Sequence, residues 1–204
     1  AELAGIHGAV AFIREFKLKP VDLRAVRHAV VLGGGNTAID AVRELLGLGV
    51  PEVTMVYRGT EDQMSGYAHE WKAAKVDGAR AAWRAQPLAY VGDGKVGAVR
   101  CGRLGEDRRP TGETFEVPAD LVLLAIDQAR LGAFAAALPG LEVADGRVVV
   151  DEDGATGCAG VYAAGDCANG GKEVVNAAAE GKRAAQAIDR YLAGATGARG
   201  VTNV

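Results

Sequence analysis

Cysteine is scarce in this chain: Cys101, Cys158 and Cys167 are the only three in 204 residues, and no Cys-x-x-Cys spacing occurs. An odd, sparse set makes no disulfide framework and reads as reduced and intracellular. Without a CxxC, neither a redox dithiol nor a cysteine-rich cluster site is encoded. Histidine is as thin: His7, His28 and His69 are scattered without ligand spacing, so surface or packing roles are expected and no metal site. No apolar run approaches a membrane span, and Leu121 to Ile126 is short and strand-like. The amino end, Ala1-Glu2-Leu3, carries no signal-peptide pattern, which sets a cytoplasmic expectation. A basic tract is missing as well. With a formal net charge of −3, this argues against nucleic acid or an acidic membrane surface as the main partner.

What the chain does have is apolar mass and glycine. Hydrophobic residues make up 49% and charged residues 24%, enough for a globular core. The 29 glycines suit an α/β protein with many tight turns between strands and helices. The length fits one large domain or one and a half ordinary ones.

The most informative stretch is Val30-Val31-Leu32-Gly33-Gly34-Gly35-Asn36-Thr37-Ala38-Ile39-Asp40. A β-branched run enters Gly33-x-Gly35-x-x-Ala38 and a helical pattern follows, which is the strand–turn–helix fingerprint of a dinucleotide-binding unit. Gly33 permits the tight turn, Gly35 lacks the Cβ that would block a pyrophosphate, and Ala38 lets the helix pack closely. Free N–H groups and the helix dipole then face the phosphates. Alone the motif is weak; its setting between strand and helix raises it.

Around it, periodicity predicts a short helix over 9–17 ended by Pro20, a strand over His28–Leu32 and a helix over Asn36–Leu48. Val53–Tyr57 reads as a second strand and Tyr67–Ala74 as a helix. The period then changes to two. Ala81–Ala85, Leu88–Val91 and Val96–Arg103 read as strands with a hairpin turn at Gly92-Asp93-Gly94, and Gly105–Thr114 reads as a loop. The run Leu121–Ile126 has the look of a buried parallel strand, closing a β-meander rather than another helical crossover. Further on, Ala133–Leu138 reads as a brief helix or turn, Arg147–Val150 and Val161–Ala164 as strands, and Glu173–Leu192 as a long helix with a frayed tail from Ala193.

Three features in order carry a resemblance: the turn at Gly33–Ala38, a strand ending in Tyr57-Arg58, and Val161-Tyr162-Ala163-Ala164-Gly165-Asp166. The last is followed by Gly171-Lys172-Glu173-Val174-Val175-Asn176-Ala177, a run far more specific than the glycine turn. Together they resemble the pyridine nucleotide-disulfide oxidoreductase superfamily. Within it the likeness is to the NADPH-dependent glutamate synthase small (beta) subunit and dihydropyrimidine dehydrogenase flavin-subunit family. It extends over nearly the whole chain.

The resemblance implies an α/β fold: a Rossmann-like NAD(P)-binding domain with a β-meander, plus the C-terminal half of a split FAD-binding domain. It divides the chain into 1–26, a connector from a missing FAD half; 27–128, the NAD(P)H-binding domain; and 129–204, the FAD part. The first FAD half, with its own GxGxxG, and the upstream iron–sulfur segments are not in this sequence, so the chain reads as a piece of a longer protein. The implied partner is that missing region or an electron-accepting subunit.

The resemblance also assigns roles. Gly33, Gly34, Gly35, Asn36, Thr37 and Ala38 would hold the pyrophosphate of a nicotinamide cofactor. Arg58 stands where the ribose is expected; arginine suits a 2′-phosphate, whereas an acidic residue suits a 2′-hydroxyl. NADP(H) is therefore favoured over NAD(H), although the second arginine of the family is here Gly59. Thr60 is either a hydroxyl contact or a solvated loop residue. Gly165 and Asp166 resemble the pair beside the ribityl chain of FAD, and Glu173 with the amides of Val174 and Val175 would face the flavin's pyrimidine edge. Asp127 replaces a usual glycine, so either its loop is shifted or nicotinamide binding is altered. Cys167 reads as a small core residue. The Glu61-Asp62 and Arg108-Arg109 pairs read as solvated.

The expected function is the NAD(P)H-oxidising part of a FAD-dependent oxidoreductase, passing hydride from NADPH to FAD and electrons onward. No catalytic side chain is expected, because the protein's share is alignment and electrostatics. An NADP(H)-binding or assembly module without redox activity is the alternative, and a Rossmann fold for another nucleotide-like ligand is a third reading. The missing CxxC argues against disulfide reduction.

Overall fold

A computed structural model describes residues 3–19, 21–126 and 138–197. The chain forms two compact units, Ala1–Gln128 and Ala129–Val204.

The first unit is built on a parallel sheet: β1 (Ile6–Gly8), β2 (His28–Leu32), β3 (Glu52–Val56), β4 (Arg80–Ala82) and β8 (Leu121–Leu124), in the spatial order β1-β8-β2-β3-β4. β2 is apolar from Ala29 onward because both of its faces are covered. Ala29 and Val31 pack with the helices α1 (Ala9–Leu18), α2 (Asn36–Gly47) and α3 (Ala68–Val76). Val30 and Leu32 pack on the other face against an antiparallel meander, β5 (Ala85–Asp93), β6 (Lys95–Leu104) and β7 (Pro110–Pro118). α2 buries Ala38, Ile39, Val42 and Leu45, the expected helical stripe. Gly49, at φ +85, then turns the chain toward β3.

Four details of this unit differ from the sequence reading. Ile6–Gly8, within the stretch read as a connector, is an edge strand paired in parallel with β8. Its glycine and histidine hide it from any β pattern. Ala81–Ala85 is not one strand. It breaks after Ala82, and Arg84 at φ +50 swings the chain out of the parallel sheet into the meander. The expected loop Gly105–Thr114 shrinks to 105–109, because β7 pairs with β6 from Leu104↔Pro110 onward. As an edge strand exposed on most of its length, β7 needs no apolar alternation to form its ladder. The parallel strand predicted to reach Ile126 ends at Leu124.

In the second unit, β9 (Val143–Ala144) and β10 (Arg147–Val148) form a hairpin across Asp145 and Gly146, both left-handed. The strand expected over Arg147–Val150 is thus only two residues long. Val161–Ala164 is half-buried and makes a single bridge, Ala155↔Tyr162, rather than a buried strand. An apolar run becomes a strand only where a neighbour offers a ladder, and among the described residues of this unit it finds one partner. α4 (Asp166–Asn169) follows, then α5 (Val174–Gly197), which continues five residues beyond the expected end at Leu192. The expected helix at Ala133–Leu138 falls, apart from Leu138, outside the described residues, as do Pro20 and Asp127. Among the described residues, no helix is long and apolar enough to cross a membrane.

Candidate functional site

The chain leaves β2 toward β3 and β4 on one side, then returns through the meander to β8 on the other. The C-terminal ends of β2 and β8 therefore mark a topological switch point, where open α/β sheets form their ligand crevice. The turn Gly33–Gly35 lies there. Gly33, at φ +141, donates to Val56 O at 3.1 Å, and a Cβ on it would stand 2.5 Å from Ala125 O, just past β8. Glycine here is demanded by the fold itself.

Gly34 has a different cause. A Cβ would meet the Tyr57 ring at 2.5 Å. The same ring would lie 2.7 Å from a Cβ on Gly59, with Gln63 Oε1 at 2.9 Å. Tyr57 also donates its hydroxyl to Gln63 O at 2.8 Å. One ring thus joins the glycine turn to the segment after β3, and it explains why position 59 holds glycine instead of a second arginine.

Gly35 is not required by either argument. Its φ of −94° is ordinary, and a Cβ would meet only Ser65 Oγ, at 3.4 Å, an unstrained contact. The direction in which it lacks a side chain is open. Among the described residues, nothing accepts the N–H groups of Gly34, Gly35, Asn36 and Thr37. The side chain of Asn36 is occupied, accepting Tyr67 N–H at 2.8 Å, so what it offers a ligand is its backbone. The first turn of α2 holds no acidic residue, and Ala38 is fully buried beneath it. Four unpaired donors on the positive end of a helix form an anion cradle. The nearest acid on α2 is Asp40, whose carboxyl is pushed up by partial burial and by Glu70. Ser65 stands beside the cradle, brought there by Gly66 N–H donating to Gly34 O at 3.1 Å. Thirty residues separate it from the glycine motif, and no local signal marks it.

Past β3, Arg58 is exposed and has no hydrogen bond or ion pair among the described residues. Thr60 is neither a free contact nor idle. Its hydroxyl bonds the Asp62 carboxyl and holds it below its usual range, while its N–H donates to Gln63 Oε1 at 3.2 Å. Glu61 pairs with Lys75, which likewise lowers its carboxyl. Trp71 and Trp83 pack edge-on, their ring centres 5.8 Å apart, beneath this turn, and Trp83 meets Tyr57 at 6.3 Å.

In the second unit, Gly165 sits at φ +71, ψ −151, and its N–H donates to Glu180 Oε2 at 2.9 Å. Asn169 Nδ2 donates to the same oxygen at 2.8 Å. Glu180, unmarked in the sequence, therefore locks the turn that presents Asp166, whose carboxylate is exposed and unpaired among the described residues. Cys167 is half-buried with its thiol on Ala164 O. At the start of α5, Glu173, Val174 and Val175 are exposed, the valines at 84% and 68%. A cavity of about 160 Å³ next to the turn is lined by Asp151, Ala163, Asn169, Glu180 and Arg183 among others.

A larger depression of about 610 Å³ lies at the opposite end of the parallel sheet, among Val21, Leu23, Val26, Leu48 and Pro51. It faces the N-terminal ends of β2 and β3 and the C-terminal end of α2. Arg24 and Arg27 line it too, but it lies away from the switch point at the C-terminal strand ends, so volume does not locate the site.

The family model described as pyridine nucleotide-disulphide oxidoreductase matches residues 6–181. The chain belongs to this family. The NADP(+)-dependent formate dehydrogenase subunit beta of Moorella thermoacetica is 34% identical over 92% of this chain and 28% of its own length. The glutamate synthase (NADPH) small chain of Halomonas elongata is 33% identical over 94% of this chain and 46% of its own. The chain spans less than half of these curated relatives. Among solved structures, T. acidophilum thioredoxin reductase superposes with a TM-score of 0.73 at 25% identity, covering 93% of this chain and 58% of that one. Mycobacterium tuberculosis FprA in complex with NADPH gives 0.69 at 19% identity over 100% of this chain and 62% of that one, which speaks for the fold alone. As a pyridine nucleotide-disulphide oxidoreductase with a parallel sheet and a meander, the chain has the expected α/β class.

Proposed function

We propose that the first unit binds NADPH and the second is the C-terminal half of a FAD-binding domain, together forming the NADPH-oxidising part of a longer, cytoplasmic flavoenzyme. One observation carries the nucleotide site. Gly35 is a glycine that the fold does not need, and it opens onto four unpaired N–H groups at the switch point. Those donors would hold the pyrophosphate, and Arg58 the 2′-phosphate. Gly165 and Asp166 fit a flavin ribityl chain, since the locked turn offers an unpaired carboxylate acceptor to hydroxyls. When bound, the flavin would supply the hydride-accepting ring. Each unit would hold its own cofactor, and at the start of α5, where nothing among the described residues accepts the N–H groups of Val174 and Val175, negative charge would be stabilised. An electron-accepting domain or subunit beyond this chain completes the reading.

A binding experiment tests it. Arg58→Ala is expected to weaken NADPH about tenfold or more, the effect of losing one charge-assisted bond, and to leave NADH nearly unchanged. Equal losses would refute the NADP assignment. The exposed valines of α5 favour a second reading, in which this chain binds NADP(H) but holds no flavin by itself. A colourless purified protein that still binds NADPH supports that reading; flavin absorbance bands support the first.

A further inference from the structure

Position 59 cannot give the ribose turn a second cation, yet two other arginines reach the same turn, Arg84 from the break between β4 and β5 and Arg108 from the β6–β7 loop of the meander. The backbone N–H of Arg84 donates to Gly59 O at 2.9 Å. Arg108 Nη2 donates to Gln63 Oε1 at 3.2 Å, the same oxygen that caps Thr60 N–H. Both residues sit in left-handed backbone, at φ +50 and +61, and only Asp145 shares this among the described non-glycine residues. Such conformations persist where the surroundings impose them, often at ligand sites.

The neighbouring acids leave part of this charge unspent. Glu61 is taken by Lys75, while Asp62, bonded by the neutral Thr60 hydroxyl, also feels the charge of Arg84. Glu106 stands 3.4 Å from both terminal nitrogens of Arg84, at the outer limit of a hydrogen bond. The recorded side-chain partner of Arg108 is a neutral amide, and Arg58 has none among the described residues.

We propose that Arg108, delivered by the meander, and Arg84, at its entry, complete with Arg58 a three-arginine cradle that reads the 2′-phosphate of NADPH. The proposal rests on the nicotinamide reading of this unit. Gln63 is the hinge: its carbonyl oxygen tethers Arg108 to the turn without neutralising it. Guanidinium forks match phosphate oxygens in pairs, which a lysine does less well. With NADH, Arg84 keeps its long contact to Glu106; a 2′-phosphate replaces that carboxylate. The meander then serves specificity as well as covering the sheet.

The test is equilibrium titration of this chain and its variants with NADPH, NADH and 2′,5′-ADP, read by tryptophan and nicotinamide fluorescence. Arg108→Gln and Arg84→Gln are each expected to weaken NADPH and 2′,5′-ADP about tenfold, as one charged hydrogen bond implies. NADH affinity stays within about twofold, and Arg108→Lys recovers part of the loss. Circular dichroism checks that each variant is folded. Folded variants that keep the parent preference for NADPH overturn the proposal and leave the nicotinamide site standing, with Arg58 acting alone. Parallel losses for NADH and NADPH, or a parent that binds both equally, also overturn it. A parent that binds neither nucleotide refutes the nicotinamide reading itself.

Discussion

Alanine substituted in turn at Gly33, Gly34 and Gly35 separates what the fold demands from what a ligand demands. At Gly33 a Cβ would stand 2.5 Å from a backbone oxygen, at φ +141. Strained backbone costs about 1–3 kcal/mol and overpacking about 1–3 more, so Gly33→Ala should destabilise the first unit by roughly 2–6 kcal/mol. At Gly34 the obstacle is the Tyr57 ring, itself lodged against Gly59, and with an ordinary backbone only the overpacking cost of about 1–3 kcal/mol applies. At Gly35 the contact is an ordinary 3.4 Å to Ser65 Oγ. Alanine caps a helix less well than glycine, but it loses less entropy on folding, by about 0.4–1 kcal/mol. These effects oppose each other, and stability should change by no more than about 0.5 kcal/mol. NADPH affinity should nonetheless fall at least tenfold, because the new methyl enters the phosphate cradle. Denaturant unfolding by circular dichroism gives the stability order, and NADPH titration gives the affinities. If Gly35→Ala loses as much stability as Gly33→Ala, glycine 35 is a turn residue after all. If it keeps both stability and NADPH affinity, the cradle is not there.

Two further predictions concern single side chains. Burial pushes the Cys101 thiol up to about 11, so alkylation of the native protein near pH 8 should label Cys158 and Cys167 first and Cys101 only on unfolding; early labelling of Cys101, read by peptide mass, contradicts the burial. Glu180 is held below the usual carboxyl range, first by Gly165 N–H and then by the Asn169 amide. A carboxyl depressed in the folded state lends stability that is present above its unfolded value of about 4.3 and is lost as pH falls through the folded one. Glu180→Gln should therefore speed hydrogen exchange at the Gly165 amide near neutral pH and flatten its acid dependence below about pH 4.3; an unchanged profile would free Glu180 from its locking role.

What could be read from the sequence, and what could not, divides by distance along the chain. β2, the turn and α2 are contiguous, and their apolar run, glycines and helical stripe announce them. The meander was visible through its period of two, except for β7, whose outer residues are polar on both faces. β1 was hidden because its partner β8 lies more than a hundred residues away and its own residues have little strand preference. Val161–Ala164 misled in the other direction: its composition suits a strand, but a ladder needs a neighbour, and this unit offers one bridge. At the site, Gly33 and Ala38 act locally and could be assigned. Ser65, Arg84, Arg108 and Glu180 act through turns that bring them to residues far away in sequence, and no spacing rule reaches them.

The substitution that looked like a weakness in the sequence, glycine at position 59, has a physical cause with wider reach. The Tyr57 ring lies against both Gly34 and Gly59, so the glycine turn and the turn after β3 share one wall. A side chain at 59 would have to push that ring toward Gly34, where there is no room. The fold therefore trades a cation on the turn for a rigid link between the two turns of the proposed nucleotide site. A rigid turn can in turn carry cations from elsewhere: Gly59 O fixes the backbone of Arg84, and Gln63, held by Tyr57 through its carbonyl, fixes the side chain of Arg108. The positive charge that position 59 gave up is thus restored by contacts that depend on the glycine being there.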